Sequence, residues 1–262
     1  MGRCIAFVSG KGGVGKTSIV ATAGAVLAYS GKRVCVVDAD FGLNNLDIVL
    51  GLESKVIFDI IDCMNGKCRV NQALINHPHN KNLVLMPAKN GARCSGKTDI
   101  FSGIISYLAT NFDYVLIDGP AGIGSGFNRA VSASNEIIVV TTPHISALRD
   151  ADKVLGILKN YSAGVLGAVI NMARGDYIAE KKMLGACEIE KILNCNVIGV
   201  VQSNDALFDL SSKTLECVLG ERFIEIKNFC CNLEFGTKKL SDIAKRYKGL
   251  IGYFRRKRRR AV

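Results

Sequence analysis

Short apolar runs alternate along this 262-residue chain with longer segments of helical character. An unbroken run of four to eight apolar residues suits a strand buried on both faces, whereas apolar positions spaced by three and four suit a helix that packs on such a sheet. The runs predict strands over residues 4–8, 34–38, 83–86, 114–118, 137–141, 165–171 and 197–201, and the longer segments predict helices over 16–29, 98–110, 146–161 and 237–247. Strands that alternate with helices build βαβ units. The expected fold is therefore α/β, a single domain with a doubly wound, mostly parallel sheet. No internal repeat or low-complexity linker interrupts the pattern before the tail, and residues 80–96, with lysines and glycines around a strand, are expected to be a variable surface connection.

The first apolar run ends in Gly10-Lys11-Gly12-Gly13-Val14-Gly15-Lys16-Thr17, a complete G-x-x-x-x-G-K-[ST] phosphate loop, followed by Ser18. A buried strand that passes through glycines straight into a helix leaves several backbone N–H groups aimed at one point, where a polyphosphate accepts them. In such a loop Lys16 neutralises the β and γ phosphates and Thr17 offers its hydroxyl to Mg²⁺. The chain is thus expected to bind a nucleotide through residues 10–18. Lys11 occupies a position that is free in an ordinary phosphate loop. It is either a solvated lysine or one that reaches toward a nucleotide on a second subunit.

Acids close two other strands. In Val34-Cys35-Val36-Val37-Asp38-Ala39-Asp40 the two aspartates are two apart and share a face if the strand persists, and Asp118 closes Tyr114-Val115-Leu116-Ile117-Asp118 in the position of a Walker B acid. All three are expected just beyond the carboxyl ends of strands, where open α/β sheets bind ligands. The glycine-bearing segments that follow, Phe41-Gly42-Leu43-Asn44-Asn45-Leu46-Asp47 and Gly119-Pro120-Ala121-Gly122-Ile123-Gly124-Ser125-Gly126, have the character of switches ordered by a γ-phosphate.

Charge changes the picture only at one end. Nine of the net +11 charges lie in residues 245–262, which contain no acid, leaving +2 for the rest of the chain. On a helix, Tyr247, Leu250, Ile251 and Phe254 would form one apolar face, with Arg255, Arg256 and the basic residues to Arg260 around and beyond it, the pattern of an interfacial membrane helix. No stretch reaches the ~18 apolar residues of a membrane span, and a first strand near Arg3 leaves no room for a targeting presequence. The ten cysteines include no Cys-x-x-Cys pair, so they are expected to be core or surface thiols, and His77 and His79 beside Pro78 are expected to mark a turn. Together these features predict a cytoplasmic protein, peripheral on the cytoplasmic face of the cell membrane, with a domain over 1–244 and a basic amphipathic tail over 245–262.

The loop with its extra lysine, Asp38-Ala39-Asp40, Gly42-Leu43-Asn44-Asn45-Leu46-Asp47, Asp118-Gly119-Pro120-Ala121-Gly122-Ile123 and the stretch from Thr142 through Arg149-Asp150-Ala151-Asp152 resemble the MinD/ParA family of deviant Walker A P-loop ATPases. The resemblance implies an ATPase that uses ATP and Mg²⁺, pairs as an ATP-dependent homodimer, binds anionic membrane reversibly and positions the cell-division site with a MinC-like inhibitor and a MinE-like activator. It implies that Lys11 contacts phosphate across the dimer. Asp40 would orient the attacking water, with Asp38 close by; Asp118, Thr17 and Asp40 would serve the metal, and Asn171 would contact adenine. Asn44, Gly119, Gly124 and Met172 depart from the family's pattern. The alternatives within the family are an FlhG-like regulator of flagellar number and a ParA-like DNA-partitioning ATPase; the second predicts basic residues spread over the dimer surface, unlike the near-neutral body here.

Overall fold

The computed structural model describes residues 1–43, 45–88, 98–203, 223–249 and 252. Its strands are β1 (Arg3–Ser9), β2 (Val34–Asp38), β3 (Ile75–His77), β4 (Asn80–Met86), β5 (Tyr114–Ala121), β6 (Glu136–Thr141), β7 (Gly164–Ala173) and β8 (Val197–Gln202). Its helices are α1 (Lys16–Tyr29), α2 (Leu46–Leu50), α3 (Ile60–Met64), α4 (Val70–Ala73), α5 (Thr98–Asn111), α6 (Ser125–Ser132), α7 (Ile145–Leu158), α8 (Gly175–Ala179), α9 (Ala186–Leu193) and α10 (Ile224–Phe235). The strands form one sheet in the order β3-β4-β2-β5-β1-β6-β7-β8. Every pairing is parallel except β3 with β4. All seven predicted strands and the helices at 16–29, 98–110 and 146–161 are present, with ends moved by a few residues.

Alternate residues of each strand feed two cores. Cys4, Ala6 and Val8 of β1 join Phe101, Ile105 and Leu108 of α5 and Phe127 of α6 on one face of the sheet. Ile5 and Phe7 join Ile19 and Leu27 of α1 and Phe229 of α10 on the other, where the Phe7 and Phe229 rings meet edge to face at 6.3 Å. With both faces covered, the central strands lose nearly all contact with water, which is why they read as continuous apolar runs rather than alternating ones. Cys4, Cys35 and Cys230 are buried thiols in these layers.

Two differences from the sequence reading have physical causes. The edge strand β3 is three residues long and alternates buried and exposed positions, too short for a continuous apolar signal. The helix expected over 237–247 is not formed. Instead α10 lies upstream and ends at Gly236, whose φ of 63° is the left-handed C-cap conformation. The buried Asn232 then captures the following segment: its Oδ1 accepts from Thr237 Oγ1 at 2.6 Å and Lys239 N at 2.9 Å, while its Nδ2 donates to Lys239 O and Ile198 O. These bonds use up backbone groups that a helix would need. A 3₁₀ turn, Lys245–Tyr247, follows.

That turn sits on the body of the protein. Tyr247 is buried, and Gly175 of α8 faces the Ile243 carbonyl and the Tyr247 ring so closely that a Cβ would collide with both. The placement of Tyr247 on a lipid-facing surface is therefore not met here, because its ring serves the α8 contact instead. Leu250, Ile251, Phe254, Arg255 and Arg256 lie outside the described residues. No helix among the described residues is long and apolar enough to cross a membrane.

Candidate nucleotide site

At the carboxyl end of β1, the sheet order places β5 on one side and β6 on the other, the crevice where chain direction diverges. Residues 10–17 turn there from β1 into α1. Gly13 and Gly15 have φ of 76° and 77°, a conformation that strains any residue with a Cβ. Space forbids a side chain at Gly15 as well, since a Cβ would overlap the Asn171 carboxamide. The N–H groups from Gly12 to Thr17 have no backbone acceptor among the described residues; the first bond of this kind is Ile19 N to Gly15 O. A loop of unsatisfied donors at a helix N-terminus is the chemistry that holds phosphate, so the residues fit a nucleotide polyphosphate.

Lys16 lies buried beneath this loop and its Nζ donates to Asp118 Oδ1 at 2.6 Å, with both side chains almost shielded from water. Asp118 is paired in register with Asp38 across β2 and β5, and with Phe7 of β1. Two carboxylates thus stand side by side with one ammonium. Burial first, and the charge of Asp118 second, push the Asp38 carboxyl well above the usual carboxylate range. Asp38 also organises the segment after it: Oδ1 accepts from Asp40 N at 2.9 Å and Oδ2 from Leu46 N at 3.3 Å. Asp40 is half-buried and its Oδ1 accepts from Gly42 N and Leu43 N, both at 3.2 Å.

The second switch-like segment is tied to the first strand by Gly122 N donating to Ser9 O at 2.9 Å, and Ser9 Oγ donates to Lys11 O. Lys11 itself is exposed. Around the same edge of the sheet stand three exposed apolar side chains, Leu43 after β2, Ile123 after β5 and Ile145 at the start of α7. Asn171, expected at the base, is buried, and its Nδ2 donates to Val14 O at 2.9 Å, so its carboxamide supports the loop from beneath. The next residue, Met172, has φ of 55°, a turn in the strand that few side chains adopt. Asn44 lies outside the described residues.

A family model described as ParA: NUBPL iron-transfer P-loop NTPase matches residues 1–185. The septum site-determining protein MinD of Synechocystis sp. is 35% identical over 262 residues, which cover 98% of both chains. The chain belongs to the MinD family of P-loop ATPases. MinD of Bacillus subtilis is 42% identical over 220 residues, 81% of this chain and 80% of that one. In the solved MinC:MinD cell division protein complex of Aquifex aeolicus, the matching chain has a TM-score of 0.82 at 29% identity, over 91% of this chain and 98% of that chain. MinD from Pyrococcus horikoshii, solved with Mg-ADP, gives 0.79 at 25% identity over 90% and 97%.

As a MinD-family ATPase the chain uses ATP with Mg²⁺, in agreement with the loop geometry. The structure brings Lys16, Asp38, Asp40, Asp118 and residues 10–18 together at one edge of the sheet. Lys11 stands at the rim of that edge. One residue that the sequence reading did not single out also belongs to this neighbourhood. Arg129 of α6 is buried, with its Cζ 3.8 Å from the centroid of the Phe41 ring and Nη2 within 3.5 Å of Ala39 O. The available signal was a single arginine in a helix whose neighbours Phe127, Ala130 and Val131 are all apolar.

Proposed function

We propose that this chain is a nucleotide-timed membrane switch that positions the division septum: two copies close face to face on ATP, grip an anionic bilayer through paired basic tails, and separate after hydrolysis. The observation that carries this reading is the contrast between the two loop lysines. Lys16 is buried in its own site, whereas Lys11 on the same loop is exposed, at the edge of the sheet where the exposed Leu43, Ile123 and Ile145 also follow strand ends. A cation and three apolar side chains around one mouth suit a second copy of the same face.

Within each copy, Lys16, which is paired with Asp118 here, would hold the β and γ phosphates, and Asp118 with the Thr17 hydroxyl would hold magnesium. Asp40 holds and orients the attacking water, and Asp38 fixes the Asp40 backbone through its bond to the Asp40 amide. Magnesium, when bound, screens the charge that builds on the β and γ oxygens. Lys11 supplies one further positive charge from the partner, so the closed pair depends on the γ-phosphate. Asn171 supports the loop near the base.

Hydrophobic and electrostatic magnitudes make pairing decisive for lipid binding. Each basic residue close to an anionic leaflet contributes about 1 kcal/mol and an ordered helix loses much of that again, so one tail binds marginally. Two tails in one dimer gain a factor of ~10² to 10⁴ from effective concentration. The MinC:MinD complex of Aquifex aeolicus supports a MinC-like inhibitor as partner, and a MinE-like activator completes the cycle. Phosphate release and light scattering test this reading: wild type is expected to hydrolyse ATP and pair transiently, and Asp40→Ala to bind ATP and accumulate as a dimer. A chain that stays monomeric in both forms with saturating ATP overturns it.

A further inference from the structure

The loop after Asp40 is held by a buried cation that comes from another part of the molecule. Arg129 lies in α6, one helical turn beyond the switch-like segment that follows Asp118, whereas Phe41 and Ala39 flank Asp40. The guanidinium stacks over Phe41 at 3.8 Å, reaches the Phe101 ring at 5.7 Å and donates to the Ala39 carbonyl at 3.5 Å. Phe41 in turn meets Phe101 edge to face at 6.3 Å. A guanidinium is planar and weakly hydrated, and it is better suited than an ammonium to lie on a ring in a site closed to water.

We propose that Arg129 is a positioning residue for ATP hydrolysis, which clamps Phe41 and so sets the carboxylate of Asp40 for the attacking water. The geometry supports this in three ways. Phe41 is the residue next to Asp40, and Asp40 Oδ1 already accepts from the amides of Gly42 and Leu43, so the carboxylate orientation follows the path of this short turn. Phe41 is buried while Gly42 and Leu43 are exposed, so the ring is the anchor of the turn. Finally, α6 follows directly on the segment after Asp118, so the clamp joins the two segments that flank the phosphate end of the site. Movement of α6 is passed to Asp40 through a stacked pair. The inference rests on the reading of Asp40 as the residue that orients water.

Single-turnover phosphate release and ATP titration calorimetry on the full chain test it. Arg129→Met and Phe41→Leu are each expected to slow hydrolysis by about tenfold with the ATP Kd unchanged within about twofold, because the groups act on the reacting water and not on ATP binding. The double variant is expected to be no slower than the slower single variant, since each change breaks the same contact. Phe41→Tyr, which keeps the ring, is expected to retain the wild-type rate. A wild-type rate in either single variant, or slowing that multiplies in the double, overturns the clamp. Should Arg129→Met fail to fold, the comparison of Phe41→Leu with Phe41→Tyr decides alone, and equal rates in those two overturn the clamp. Asp40→Ala separates the two levels: hydrolysis that survives there refutes the role of Asp40 and the clamp with it. Hydrolysis lost there but intact in Arg129→Met and Phe41→Leu refutes the clamp alone.

Discussion

Lys16 and Asp118 hold each other in a place with almost no water, and Asp38 stands next to them with its carboxyl pushed toward the protonated form. Removing one partner of a buried ion pair costs about 3–5 kcal/mol, because the other charge is left without compensation. Lys16→Ala is therefore expected to lose ATP binding and also to lower the urea midpoint of the free protein. A variant with unchanged stability would contradict the pairing. The loop was legible in the sequence because phosphate chemistry dictates its letters: glycines for the backbone path, lysine for charge, threonine for metal. The Asn171 bond to Val14 and the Arg129 stack on Phe41 were not, because each joins residues that only the sheet order brings together.

Among the elements, the β3–β4 hairpin carries the clearest pH signature. His77 is buried at the end of β3, its Nδ1 accepts from His79 N at 3.3 Å, and burial, with the positive neighbours His79 and Lys55 adding to it, lowers its pKa to about 4. The neutral ring is thus favoured in the fold, so unfolding takes up a proton once the pH drops below the ordinary imidazole value of about 6.5. The stability contribution is full above that value and is lost as the pH falls toward 4, on the order of 3 kcal/mol at most. His77→Asn is expected to flatten the acid side of the curve, measured as urea midpoints at pH 7 and pH 4.5. An unchanged slope would contradict the assignment. Periodicity found the long central strands because both their faces are buried, yet it missed the short edge strand β3 of this hairpin and misplaced the last helix. In the latter case Ile226, Phe229, Cys230 and Leu233 carry a helical spacing, whereas the pattern over 237–247 is overruled by the hydrogen bonds of Asn232.

At the scale of the whole molecule, the first residues of the basic segment belong to the body of the protein. Ile243, Ala244 and Tyr247 are packed into the fold against α8, which follows directly on the strand that carries Asn171. Cutting before Tyr247 would therefore remove part of the core together with the tail. A chain ending at Lys248 is expected to keep the ATP affinity and thermal midpoint of the full protein and to lose co-sedimentation with anionic vesicles. Retained vesicle binding would place the lipid contact elsewhere. The central claim, that a nucleotide-clamped pair and not the single chain holds the membrane, is tested most directly by co-sedimentation of wild type and Lys11→Ala with anionic vesicles in ATP and in ADP. Wild type is expected to sediment in ATP, at least tenfold above its level in ADP, from the avidity of two tails. Lys11→Ala is expected to stay in the supernatant with either nucleotide. Equal sedimentation of the two proteins in ATP would contradict the account.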